Sequence, residues 1–164
     1  MIKVKESELI KAGSEGMDEF IRVFTSAYEK QMEDEFMMEE LNAYQHTLLA
    51  YSYFINEIVE GGFCQLIQNG YGPYIFDNPF AKMMRIWGLK DFSKLIYKAK
   101  TIYDEHKEDL VKERNEEEFM AMYEQYEAFD DIEEEFMETE EMITMLIASF
   151  VEENMNEFAE VIKD

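Results

Sequence analysis

Residues 41–72 read LNAYQHTLLAYSYFINEIVEGGFCQLIQNGYG, and their spacing decides the fold. Leu41, Tyr44, Leu48, Tyr51, Ile55 and Ile58 advance by alternating steps of three and four, the period of a helix with one buried face. Gly61 then stands where such a helix needs a left-handed terminating residue. Phe63, Leu66 and Ile67 suggest a short second helix, and Asn69-Gly70 and Gly72-Pro73 mark turns.

The same period extends outward in both directions. Before the stretch, Met17, Phe20, Ile21, Phe24, Ala27 and Tyr28 predict a helix starting near Ser14, behind a polar leader at 1–13. After it, Phe80 to Trp87 reads as a short helix ended by Gly88. Asp91 is placed to cap a longer helix whose inner face carries Phe92, Leu95, Ile96, Ala99, Ile102, Tyr103 and Leu110. An acidic segment follows as two helices broken near Ala128 to Asp131, and a last helix is expected from Thr139. No alternating strand pattern persists. The expectation is an all-α protein, one compact domain over 1–164 with six or seven helices. It comprises the leader, a helical body at 14–113 with a Gly-rich corner at 61–79, and acidic C-terminal helices at 114–164.

Composition narrows the function. The 164 residues carry 38 acids against 15 bases, a net charge of -23. That excess repels polyanions and argues against direct nucleic-acid binding or an anionic membrane surface. No apolar run approaches the ~18 residues a membrane helix needs, and the N-terminus lacks a signal-like apolar core. The single cysteine, Cys64, excludes an internal disulfide framework and fits a reducing compartment, so the expected location is cytoplasmic. Among possible chemistries, zinc and di-iron sites lack ligands: His46 and His106 are the only histidines, and neither follows a carboxylate by three residues. An EF-hand spacing from Asp130 to Glu141 fails because Ile132 and Glu135 occupy positions that need an oxygen ligand and a glycine. No phosphate loop, dinucleotide fingerprint or activated nucleophile is present, so neither an enzyme nor a cofactor is indicated.

The carboxylates remain. Residues 115–141, NEEEFMAMYEQYEAFDDIEEEFMETEE, hold thirteen acids and no Lys or Arg. As continuous helix they would span about 40 Å, near one charge per 3 Å, the order of one strand of B-DNA. Residues 104–164 hold 23 acids and 4 bases, whereas 82–100 hold six bases, Lys82, Arg85, Lys90, Lys94, Lys98 and Lys100, against Asp91 alone. The candidate phosphate substitutes are Glu116, Glu117, Glu118, Glu124, Glu127, Asp130, Asp131, Glu133, Glu134, Glu138, Glu140 and Glu141, with about half expected to matter. A second acidic group, Glu33, Asp34, Glu35, Glu39 and Glu40, extends them.

The block from Asn56 to Gly72 resembles the signature of the bacterial DNA-mimic family typified by DNA mimic protein nineteen. There a helix ends in Gly-Gly-Phe, followed by Gln, an apolar pair, Asn and Gly. Glu57, Gly61, Gly62, Phe63, Gln65, Asn69 and Gly72 carry the resemblance. The Ile86-Trp87-Gly88-Leu89 segment and the run Phe129-Asp130-Asp131 through Phe136 to Phe158 continue it, covering roughly residues 40 to 160. Glu60 and Val59 depart from the polar residues that precede the glycine pair in that pattern.

The resemblance implies an all-α acidic homodimer that occupies the DNA-binding surface of a transcription regulator or another basic DNA-binding protein. The seven motif residues themselves are read as structural. Gly61 ends one helix in a left-handed conformation, Gly62 permits close packing, Phe63 anchors the next helix and Gln65 satisfies a buried backbone group. Two other functions fit the residues: an immunity- or antitoxin-type inhibitor of a basic toxin, and a small-ligand protein or enzyme with its site at the 61–79 corner among Gln65, Asn69 and Tyr71.

Overall fold

The computed structural model describes residues 1–33 and 40–164. In chain order the elements are β1 (Lys3–Lys5), α1 (Glu6–Glu15), α2 (Met17–Glu33), α3 (Ala43–Gln68), α4 (Gly72–Phe76), α5 (Phe80–Ile86), α6 (Lys90–Leu110), α7 (Glu116–Gln125), a 3-10 turn (Glu127–Phe129), α8 (Asp130–Glu153), α9 (Met155–Phe158) and β2 (Glu160–Ile162). The fold class is all-α. Six of the described helices have ten or more residues, and α4, α5 and α9 are short, with one or two turns each.

Two compact units emerge, 1–52 with 141–164, and 53–140. In the first, residues 1–13 are more than a polar leader. Lys3–Lys5 pairs in parallel with Glu160–Ile162, Val4 opposite Val161, and α1 follows at once. Three-residue strands paired across the whole chain leave no alternating pattern to read. Phe24, Tyr28, Leu48, Ile147, Val151 and Phe158 are buried here. The Tyr28 hydroxyl and the Gln45 amide both donate to the Phe158 carbonyl, at 2.8 and 3.0 Å. Asn42 and Gln45 exchange side-chain and backbone bonds at the start of α3, so two of the four orphan N–H donors of that helix end are satisfied.

In the second unit an aromatic cluster forms the core. Phe54 meets Phe136, Phe92 and Phe63 edge-on at 5.0, 5.5 and 5.8 Å, and Phe76 lies 4.7 Å from Tyr103. Edge-to-face pairs at such distances add to the burial of the rings. Gly88 ends α5 with φ 93, as its position predicts. Three local expectations are corrected. Leu89, not Asp91, is the N-cap of α6, and Asp91 sits in the first turn, where its charge favours the helix dipole. The helix α8 starts at Asp130 and runs through Thr139 without a break; the Thr139 hydroxyl donates to the Glu135 carbonyl one turn back at 2.8 Å. Finally, the break expected at Gly61 falls one residue later, and the expected short second helix follows it within α3. The helix α3 kinks at Gly62, with φ 75 and ψ -168, and terminates at Gly70, with φ 88, where Tyr71 N–H reaches the Leu66 carbonyl.

Candidate partner-binding surface

The acidic helices are built on the glycine corner. The backbone at Gly62 is left-handed, and a Cβ there would lie 2.3 Å from Glu133 Oε1. Only glycine fits both conditions. A non-helical residue interrupts the ladder of helix bonds, so the flanking peptide groups need other partners. The Phe63 N–H donates to Glu133 of α8 at 2.7 Å, and the Gly61 carbonyl accepts from the Tyr123 hydroxyl of α7 at 2.7 Å. The Phe63 ring stacks on Phe129, in the turn between those two helices, at 5.1 Å.

The other motif residues brace the kink. Glu57 accepts from Gln65 Nε2 at 2.8 Å and from Asn69 Nδ2 at 2.9 Å, which ties the helix before the kink to the helix after it. The Gln65 amide is therefore committed to a side chain, where a backbone group was expected. Gly72 lies against Tyr103, whose ring would be 2.8 Å from an added Cβ. The left-handed conformation expected at Gly61 falls on Gly62, which also permits the close packing expected of it, while Gly61 makes room for Gln65.

From this corner α7 and α8 carry the predicted carboxylates. Asn115 caps α7 in a reciprocal box with Glu118, its side chain accepting from the Glu118 N–H at 2.8 Å. Glu116, Glu117 and Glu118 fill the first turn, where the helix dipole favours them. Glu117 and Glu124 share the face opposite the buried Met122. Along α8, Asp130, Glu134 and Glu138 recur every four residues opposite the buried Ile132 and Phe136, a row about 12 Å long. Asp131 flanks that row, and Glu127 is exposed in the turn. Of the twelve candidates, Glu133 and Glu140 are half-buried and the rest are exposed. Glu141 belongs to the unit of 1–52 with 141–164, and the other eleven to the unit of 53–140.

Glu133 differs from its neighbours. Burial holds its carboxyl above the usual glutamate range, with Asp130 adding to the shift and the Phe63 N–H opposing it. Beside it, burial first and then the nearby Glu133 and Asp130 charges push the Cys64 thiol up to about 12, so this cysteine is a buried, protonated side chain.

Most ion pairs of the unit lie away from α7 and α8. Lys100 and Lys107 reach Asp77 at 4.0 and 3.5 Å, Lys100 holds Asp104 at 2.9 Å, and Lys98 lies 3.8 Å from Glu135, which is not among the twelve. Asp109 joins the end of α6 to α7. It accepts from the Tyr126 hydroxyl, from Arg114 at 2.9 Å and from Gln125 at 3.2 Å, and the Tyr126 bond, helped by Arg114 and Lys112, holds its carboxyl below the usual range.

Tyr123, Asn115 and this Asp109 network are the anchors that the residue spacing had not singled out. Asn115 with Glu118 three residues on was a readable capping signal; Tyr123 had no local signal. In the second acidic group Glu33 and Glu40 are exposed, and Asp34, Glu35 and Glu39 lie outside the described residues.

The residues expected to line a small-ligand site at the corner are engaged with their neighbours, and the cleft beside them is lined instead by Ile75, Phe76, Asp77, Asn78 and Pro79. Gln65 and Asn69 are both bonded to Glu57, and Tyr71 packs 5.1 Å from Tyr53. Among the described residues no group of three His, Cys, Asp or Glu side chains is arranged to hold a metal ion, and no helix is long and apolar enough to cross a membrane.

Two comparisons bear on this arrangement. A family model described as "DMP19-like protein" matches residues 39–154, a span that holds the corner and both acidic helices. The chain is also similar to "DNA mimic protein DMP19" of Neisseria meningitidis serogroup B (strain ATCC BAA-335 / MC58), at 34% identity over 118 residues, 71% of this chain and 72% of that protein. The corner residues, the acidic helices and the matched span agree: this chain belongs to the DMP19-like family.

Proposed function

We propose that the chain is a binding protein without catalytic turnover that imitates double-stranded DNA. It offers the carboxylates of α7 and α8 to the Lys and Arg side chains of a DNA-binding protein, a transcription regulator in the first instance, and occupies the surface that DNA would use. The observation that carries this reading is the run of exposed carboxylates from Glu116 to Glu138, on two helices pinned to one corner and with no Lys or Arg within the segment. Fixed anionic groups at near-phosphate density attract a cationic groove over a Debye length and speed encounter. The family relationship supports the same reading, because the relative bears the name of a DNA mimic. A partner of this kind places its action in the cytoplasm with the chromosome.

The test is capture on the immobilised chain from the native cell lysate at low salt, followed by elution with duplex DNA. A DNA-binding protein released by the duplex is the expected result. A captured nuclease or other toxin that duplex DNA leaves bound would overturn the reading in favour of an inhibitor that uses a different surface.

A further inference from the structure

The two acidic helices have separate anchors on one kink. The carbonyl before Gly62 is held by α7 through Tyr123, the N–H after it is held by α8 through Glu133, and Phe63 stacks on the Phe129 turn between them. We propose that the Gly61–Phe63 corner is a two-point clamp that sets the spacing of α7 and α8, and that Tyr123 and Glu133 are positioning residues for the acidic surface, not partner contacts. The purpose of the clamp rests on the DNA-mimic reading; its existence does not.

Three features make the clamp specific. First, both bonds go to the backbone groups on either side of the one non-helical residue of the kink, so they fasten α7 and α8 to the corner itself. Second, the Glu133 carboxylate packs against the bare Cα of Gly62, where a methyl group would already collide with both of its oxygens, at 2.3 and 3.0 Å. Third, Glu133 is half-buried, whereas Asp130, Asp131 and Glu134 around it are exposed. A carboxylate drawn inward and hydrogen-bonded to the protein's own backbone is a poor phosphate substitute and a good strut. Neighbouring exposed acids then inherit fixed positions from it.

The test needs no partner, so the clamp and the DNA-mimic reading can fail separately. Nitroxide labels are placed by Met120→Cys and Met137→Cys, at exposed positions on α7 and α8, with the buried Cys64 as the unlabelled background. Pulsed electron–electron resonance then reads the distance distribution between the helices. The labelled parent should give one narrow peak. Glu133→Ala and Tyr123→Phe should each lose it to a broad or displaced distribution, while Glu133→Gln should restore the narrow peak, because its amide oxygen still accepts from Phe63. In parallel, the Phe63 amide should exchange at least about tenfold faster in Glu133→Ala than in Glu133→Gln. Circular dichroism confirms that each variant is folded; if Glu133→Ala is not, Tyr123→Phe, which removes a single hydroxyl, decides alone. An unchanged narrow peak in both Glu133→Ala and Tyr123→Phe would overturn the clamp. So would a Glu133→Gln peak as broad as that of Glu133→Ala, since the charge and not the hydrogen bond would then be at work.

Discussion

A single methyl group at Gly62 tests the corner at the residue scale. Gly62→Ala puts a side chain into a left-handed backbone and against the Glu133 carboxylate, so unfolding in urea should show a loss of at least about 2 kcal/mol. Gly13, where an added Cβ meets nothing, is the control and should show no such loss. Glu133 also gives a pH dependence with a definite sign. Its folded carboxyl keeps its proton to higher pH than the unfolded chain does. The folded state therefore binds more protons in that window, and stability falls as pH rises from about 4.3, the ordinary glutamate value. Glu133→Gln cannot titrate, so the stability difference between the parent and Glu133→Gln, followed by thermal unfolding, should move against the parent as pH rises through the window. A difference that stays flat would mean that burial of Glu133 is not felt. The glycine pair was legible in the sequence as a helix punctuation, but not which glycine turns left-handed. That depends on where the partners Tyr123 and Glu133 arrive from, and they lie about sixty to seventy residues further along the chain.

Helices that carry the charges can be tested one at a time. Asn115→Ala deletes the cap of α7 and should cost about 1 kcal/mol of stability, with the loss of helical signal confined to the first turn of α7 in amide exchange. Thr139→Pro distinguishes a helix start from a helix interior. At a start, proline is tolerated; within the continuous α8 it should cost about 3 kcal/mol or more in urea unfolding. The helix period made α2, α3, α5 and α6 readable, because each buries a regular apolar stripe such as Phe92, Leu95, Ile96, Ala99 and Tyr103. It misplaced the start of α8 because Thr139 followed by Glu140 and Glu141 imitates an N-terminal signature. In the structure the hydroxyl instead bonds back to Glu135. It also missed β1 and β2, whose pairing of Val4 with Val161 is set by the ends of the chain meeting and not by any local alternation.

Charge is the property of the molecule as a whole that sequence shows best, because -23 needs no coordinates. What the sequence left open was which acids the protein spends on itself. The structure commits Asp77, Asp104, Asp109 and Glu135 to internal cations and Glu133 to a backbone N–H, and leaves the outward rows of α7 and α8 facing solvent. Their role is tested most directly by equilibrium competition between this chain and duplex DNA for the DNA-eluted partner, across a salt series. The parent is compared with a variant carrying Glu117→Gln, Glu124→Gln, Asp130→Asn, Asp131→Asn, Glu134→Gln and Glu138→Gln. The account predicts that the parent displaces DNA, that its affinity falls steeply with salt, and that the six-fold variant binds at least about tenfold more weakly with a shallower salt slope. A variant that still displaces DNA with the parent's affinity and salt slope would contradict the account.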